Sequence, residues 1–407
     1  MTRESSLARI KTSILTFIPL NMRSIFSSGF FAVLLTLPLM GDPQSDEPDI
    51  VRAEPFVHPG LLHSQEDLAF TRSKLTEQSE PWQTAWTALC QSEQSSLDYT
   101  PRPRAHVIRG ARNNPDQGSS DFTQDGGAAY NHALQWALSG KKAHAEKAME
   151  ILNAWSFTLE SIGGHDAKLL VGMDGVIYCN AAELIRHSDA DWPAEEQARF
   201  ERMLREIFYP LIKDFYPSAN GNWDAAMIQT MLAMGVFLDD RPMFERALHY
   251  FRAGEGNGAV NNYLNEFGQC QESGRDQLHV QMGLGFLGVA CEIAWKQGVD
   301  LYGFSNNRLA TGFEYTAKYN LGEEVPFKRF RSYQGRYDYS EISDRGRGRF
   351  RPIYERIVHH YTKRRDLELP WSVKVAEQQR PEGAHEQHAS WGTLTSFGVP
   401  LTDEVTP

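Results

Sequence analysis

The sequence is short of cysteine, of β-branched alternation and of net positive charge, and each shortage removes a class of protein. Cys90, Cys179, Cys270 and Cys291 are the four cysteines in 407 residues. Their spacing fits neither a zinc motif nor a CxxC redox pair. A chain of this length does not need disulfides, and Cys179 and Cys291 sit in apolar helical patterns expected to bury them as thiols. Val/Ile/Thr alternation is scarce, so no large sheet is signalled. No repeat of fixed period appears, which argues against a regular solenoid. A net charge of −11 argues against general nucleic-acid binding.

What is present is a globular composition, 41% hydrophobic and 23% charged, long enough for a large core. Charge is unevenly spread. From Lys328 to Arg365, twelve Lys and Arg face Asp338, Glu341, Asp344 and Glu355, a local +8. By subtraction from −11, the rest of the chain carries −19. An acidic body with one basic segment fits local recognition of a polyanion. At the N-terminus, Arg3, Arg9, Lys11 and Arg23 precede the apolar run Phe30–Met40, FFAVLLTLPLM, which is too short to span a bilayer. Residues 1–50 therefore read as an export signal and disordered tail. A periplasmic or secreted protein without stable membrane insertion is expected.

Residues 51–400 read as helix after helix. Ser64 precedes a helix to Leu75, with Asp67 placed for a capping box. Helices are expected at 127–138, 141–155, 174–187, 194–208, 222–237, 242–251, 276–295, 306–319 and 352–364. Short Gly or Pro turns pair them as antiparallel hairpins. The fold class expected is all-α, an incomplete or closed α/α toroid of helical hairpins.

Polar motifs interrupt this pattern. In Asn306–Tyr319, NNRLATGFEYTAKY, helical spacing puts Arg308, Gly312, Tyr315 and Tyr319 on one face, one guanidinium with two phenols. In Gly268–His279, GQCQESGRDQLH, Glu272, Arg275, Gln277 and His279 gather at a helix start, a place suited to anions. In Asn220–Gln229, NGNWDAAMIQ, Asn222 stands at a helix start with Trp223 beside it to stack on a sugar or to pack. Arg380–Thr395 is a loop carrying His385, His388 and Trp391, and Arg345–Phe350, RGRGRF, is a basic loop containing Arg347. His385 and His388 lack cysteine partners, and no metal or cofactor is expected.

The segments NGNWDAAM, GQCQESGRDQ and RLATGFEYTAKYNLG together resemble the alginate lyase domain family of polysaccharide lyases, over about His58 to Thr395. The resemblance implies an α/α toroid and β-elimination on a 1,4-linked uronate polymer, polymannuronate or glucuronan. It implies catalytic roles for Asn222, His279, Arg308 and Tyr315. Asn222 would neutralise the carboxylate, and Tyr315, kept partly ionised by Arg308, would take H5 and return a proton to O4. Substrate contacts are expected from Arg275, Glu272, Gln277, Trp223, Tyr319, His385 and Arg347. One departure stands out: Trp223 follows Asn222 where the family pattern has a His, and His279 is assigned that role. Two other readings stay open at this point. A glycoside hydrolase would use Asp174 and Glu272 as paired acids, and a uronate-binding protein would have no catalysis.

Overall fold

The structure, a computed structural model, describes residues 55–400. The expected export signal lies outside these residues. Local chemistry starts the helices. Ser64 caps α1 (Gln65–Thr76): its hydroxyl accepts from the Asp67 N–H at 3.3 Å, and the Asp67 carboxylate accepts from the Ser64 N–H at 2.9 Å. The capping box is complete. Then come α2 (Trp82–Gln91), α3 (Ser119–Ser139), α4 (Lys142–Thr158), α5 (Ala167–Arg186), α6 (Ala194–Met203) and α7 (Tyr209–Ile212). A π-turn at Leu204–Phe208 joins α6 to α7. After these lie α8 (Gly221–Phe237), α9 (Arg241–Ala253), α10 (Val260–Tyr263), α11 (Gln277–Lys296) and α12 (Phe304–Asn320). The chain closes with α13 (Tyr354–His359), α14 (Pro370–Gln379) and α15 (Gly392–Thr395).

Two layers result. The inner layer is α3, α5, α8 and α11, each packed on the next. The outer layer is α4, α6–α7, α9 and α12, of which the first three return the chain for the following inner helix. This is an α/α toroid, as the hairpin rhythm predicts. Because every hairpin reverses the chain twice, the inner helices run the same way, and their N-terminal ends share one mouth.

Inner position also explains where the sequence misleads. α5 is buried along nearly its whole length and α8 likewise. A helix apolar on all sides has no stripe to mark its ends. The start expected at residue 174 therefore falls inside a helix that begins at Ala167, while the start expected at 127 falls inside α3 because its first turns, SSDFTQD from Ser119, are polar. α2 and α14 lie outside the expected helices. α11 is apolar enough to cross a membrane by composition, but here it is a core helix.

Strands are few. β1 (His106–Arg109) pairs antiparallel with β2 (Asp116–Gln117) and parallel with β3 (Ser161–Gly163). β4 (Phe330–Arg331) and β5 (Asp338–Tyr339) form a small hairpin, Phe330 opposite Tyr339, within the basic segment after α12.

Candidate active site

Two inner helices begin side by side, and one loop caps both. The Gln271 side chain accepts from the Gly221 N–H at 3.1 Å, and Glu272 accepts from the Asn222 N–H at 3.2 Å. These are amides that the first turn of α8 leaves without helical partners. Asp276 caps α11 by accepting from the His279 N–H at 2.9 Å. Only glycine fits at 221: a Cβ there would stand 2.2 Å from the ring of Tyr263 and 2.4 Å from the carbonyl of Asn257.

Glu272 is fully buried and is the hub. Besides Asn222 it accepts from the Tyr263 hydroxyl at 2.9 Å and from Arg275 Nη1 at 2.6 Å. Arg275 Nη2 then lies 3.0 Å from His279 Nε2, and His279 Nδ1 lies 2.7 Å from Asp276 Oδ2. A guanidinium only donates and a carboxylate only accepts. His279 is therefore a neutral imidazole with its proton on Nδ1 and its Nε2 lone pair toward Arg275. Burial pushes the Asp276 carboxyl up, but the His279 hydrogen bonds and the Arg275 charge outweigh it and bring the group down to about 2. Arg275 and His279 keep 29% and 33% of their side-chain surface open to solvent, so the inner network has an outer face.

The Asn222 side chain is held here with weak partners. Its Nδ2 donates to the Met282 thioether at 3.3 Å, and its buried Oδ1 has none. A buried amide this poorly satisfied is costly unless another group completes it. Tyr339 closes the cluster on the other side. Gly274 lies against it so tightly that an added Cβ would be 2.2 Å from the Tyr339 Cβ. Burial raises the Tyr339 phenol, the Glu272 charge raises it further, and Arg275 opposes both. The phenol thus stays protonated.

The mouth continues past α11. Arg351 Nε donates to the Leu278 carbonyl at 2.9 Å, and Nη1 donates to Gln387 Oε1 at 2.8 Å and lies 3.1 Å from His385 Nε2. Burial brings Arg351 down to about 10, and burial together with the Arg351 charge brings His385 down to about 4. Next to His385 opens a cavity of about 420 Å³ between α3, α5 and the loop 384–391, with Thr123, Tyr130, Asp174 and Glu386 in its wall. Burial raises Asp174 to about 7, against a 2.8 Å hydrogen bond from the Thr123 hydroxyl and the charge of Arg109. At the start of α8, Trp223 is half-buried, edge-on to Tyr216 at 5.4 Å and to His165 at 5.8 Å.

The sequence-predicted residues thus divide. Asn222, Glu272, Arg275 and His279 come together, with Trp223 and His385 along the same mouth. Gln277 is buried and ties α11 to its surroundings: Nε2 donates to the Ser343 carbonyl at 2.9 Å, and Oε1 accepts from Asn320 at 3.1 Å. Arg308, Gly312, Tyr315 and Tyr319 do share a face of α12, but that face packs inward. Arg308 donates to the Leu264 carbonyl at 3.0 Å, and the Tyr315 hydroxyl donates to the Pro326 carbonyl at 2.7 Å. Burial, Cys270 and Tyr319 raise the Tyr315 phenol, so the lowering expected from Arg308 is not found. Tyr319 is covered by Arg347, whose guanidinium lies 4.0 Å from the ring centre and donates to the Tyr319 carbonyl at 2.8 Å. Among the described residues no hydrogen bond joins Arg308 or Tyr315 to the Asn222–His279 network.

A sequence profile described as alginate lyase matches residues 69–327. The chain belongs to the alginate lyase family. It is a polysaccharide lyase of uronate polymers, which removes the non-catalytic reading. The hydrolase reading also loses its acid pair, since Glu272 is sealed under three donors. Solved structures agree on the fold. An alginate lyase from Bacteroides ovatus aligns with a TM-score of 0.60 at 14% identity, over 84% of this chain and 99% of that one. Alginate lyase A1-III from Sphingomonas species A1 aligns with a TM-score of 0.59 at 12% identity, over 83% and 98%. A variant of A1-III complexed with a tetrasaccharide gives 0.61 at 14% identity, over 83% and 97%. No curated protein matches the sequence.

Sequence reasoning assigned no chemistry to His165, Tyr339 or Arg351. Each lies more than 50 residues from Asn222, outside the three segments that carry the family resemblance. The one signal was the density of Arg and Tyr after Lys328, and that segment does pack on the start of α11: the Gln277 N–H donates to the Arg345 carbonyl at 2.9 Å.

Proposed function

We propose that this enzyme cleaves a β-1,4-linked uronate polymer, polymannuronate or glucuronan, by β-elimination, leaving a 4,5-unsaturated uronate on the new non-reducing end. The observation that carries this reading is the convergence of Asn222, Arg275 and His279 on buried Glu272, with Tyr339 against them. H5 lies α to the uronate carboxylate and is weakly acidic, so the carboxylate charge must be offset before a base can remove it. The Asn222 amide and Arg275 Nη2 are the donors available for that carboxylate. When Arg275 turns to the substrate, the Nε2 lone pair of His279 is released. Asp276 behind the ring stabilises the imidazolium that forms. His279 then takes H5, the C5–H electrons become the C4–C5 double bond through an enolate-like intermediate, and the C4–O4 bond breaks. Tyr339, a protonated phenol, supplies the proton that O4 needs as it leaves. Arg351, His385 and the cavity beside them extend the mouth far enough to hold neighbouring sugars, and Trp223 and Tyr216 offer aromatic surface at the other side.

Two features temper the choice of polymer. Trp223 stands where the family pattern has a His, so glucuronan ranks equally with polymannuronate. The basic and apolar pattern of residues 3–40 supports export, and an exported enzyme would meet extracellular polymers. The deciding experiment is digestion of polymannuronate, polyguluronate and glucuronan with the purified chain, followed in the ultraviolet. An unsaturated-uronate chromophore growing with one or both of the first and last is expected. New reducing ends without that chromophore on every polymer would sink the elimination mechanism.

A further inference from the structure

The far end of the inner helices carries a second cluster, which the lyase reaction does not use. Glu183 lies in the last turn of α5, and His187, four residues on, is the residue that caps its C-terminus. The segment leading into α1 brings His58 over them. His58 Nδ1 is 2.7 Å from Glu183 Oε1, and the two imidazoles stack at 4.2 Å with 10° between their planes. The ligand atoms of His58, Glu183 and His187 all lie within 4.8 Å of one another. Glu183 itself is buried.

Two atoms here are unexplained by the protein alone. Glu183 Oε2 and His187 Nε2 are buried, 3.7 Å apart, and neither makes a hydrogen bond. A buried carboxylate oxygen without a donor is costly, and so is a buried imidazole nitrogen without a partner. The atoms around them are arranged as supports. The Gly60 N–H donates to Glu183 Oε1 at 3.1 Å, the oxygen that also meets His58, which orients the carboxylate and leaves Oε2 facing His187. His58 Nε2 lies 3.3 Å from Asp239 Oδ1, in the turn after α8. A carboxylate behind a histidine is the usual support of a metal-bound imidazole.

We propose that His58, Glu183 and His187 bind one divalent transition-metal ion, zinc by ligand chemistry, through His58 Nδ1, His187 Nε2 and Glu183 Oε2. Asp239 holds the His58 ring from behind, and water fills the fourth position. Ligand atoms of a tetrahedral zinc stand roughly 3.3 Å apart given zinc–ligand distances near 2.0–2.2 Å. The 3.7 Å pair needs only a small side-chain adjustment, and the widest separation closes by rotation of the His58 and His187 rings, 15% and 26% exposed, as His58 Nδ1 gives up to solvent the proton it shares with Glu183 Oε1. The ion joins the entry segment, α5 and the α8–α9 turn. Asn222 stands at the opposite end of α8, about 20 Å away by helix rise, so the site is structural rather than catalytic.

The test uses the full chain, stripped with a chelator and titrated with zinc and with cobalt(II). One equivalent of cobalt should bind with visible ligand-field absorption. Zinc should displace it and should raise Tm. His187→Gln and Glu183→Gln should weaken binding more than about a hundredfold, since losing a ligand exceeds the loss from a supporting residue. His165→Gln, an exposed histidine elsewhere, should bind as the wild type does. His58→Gln lies on the entry segment and supplies the same readout should the α5 variants fail to fold. Turnover on uronate polymer at 25 °C should not change on stripping. Absence of stoichiometric cobalt and zinc binding would overturn the proposal. So would equal affinity in the wild type and the His58, Glu183 and His187 variants.

Discussion

At its two ends α11 sets carboxylates against cations in opposite ways. At the C-terminal end, Lys296 Nζ lies 2.5 Å from Asp67 and 3.5 Å from Glu292, and Arg364 lies 3.4 Å from Glu292. The Tyr302 hydroxyl adds a 2.8 Å hydrogen bond to Glu292. Each of the four charged side chains has 10% or less of its surface exposed. At the N-terminal end the carboxylates of Glu272 and Asp276 are also buried, but the cation and imidazole they hold, Arg275 and His279, stay about one-third open. The sealed network has satisfied its charges within the protein. The open one keeps its acids inside and presents donors and a lone pair outward, which is what an anionic substrate needs.

The largest expected effect breaks the sealed end. Glu292→Ala leaves Lys296 and Arg364 buried with one fewer counter-charge, and loss of one partner from a buried network costs about 3–5 kcal/mol. Denaturant unfolding should show that loss, while turnover of the remaining folded protein stays within about twofold. A stability change under about 1 kcal/mol would mean that solvent reaches this network after all.

At the open end the balance reverses. Asn222→Ala should lower kcat about a hundredfold or more, with little change in KM or in denaturant midpoint, because charge on the carboxylate grows toward the transition state. If KM alone moves, Asn222 serves position rather than chemistry.

The two tyrosines sharpen the assignment. Tyr339→Phe should lower kcat about a hundredfold, the worth of a general acid. Tyr315→Phe loses its hydrogen bond to the Pro326 carbonyl and should cost about 1 kcal/mol of stability with a much smaller kinetic effect. The reverse outcome would return the proton-transfer role to the Arg308/Tyr315 pair.

Asp174 is the intermediate case, buried like Glu292 but facing a cavity. Its folded pKa is raised to about 7, so the folded state keeps a proton that the unfolded chain loses near 4. Its contribution to stability therefore falls as pH rises from about 4 through 7. Asp174→Asn removes that dependence, and the Tm of the variant relative to wild type should climb by about 2–4 °C between pH 5 and pH 8. A constant difference across that range would show that Asp174 is ionised throughout.

Much of this protein follows from local sequence. Ser64 and Asp67 start α1, Gly140 ends α3 in a left-handed conformation, and hairpin after hairpin builds the toroid. The Glu272–His279 stretch also assembles its own geometry. Asp276 caps the helix and orients His279 three residues on, and Arg275 meets Glu272 and His279 at i−3 and i+4. These interactions span less than two turns, so sequence spacing determines them. The α12 face shows the limit of that reasoning. Spacing placed Arg308 and Tyr315 together correctly, yet it carries no information on whether a face meets solvent or another loop. The 264–270 loop and the segment after Leu321 cover it. Only the tertiary structure brought Asn222 onto Glu272 across 50 residues, set Tyr339 against Gly274, and laid Arg351 along the mouth. Those approaches depend on how inner helices stack and where a long extended segment returns. That is decided by burial of the whole core, which no short window of sequence records.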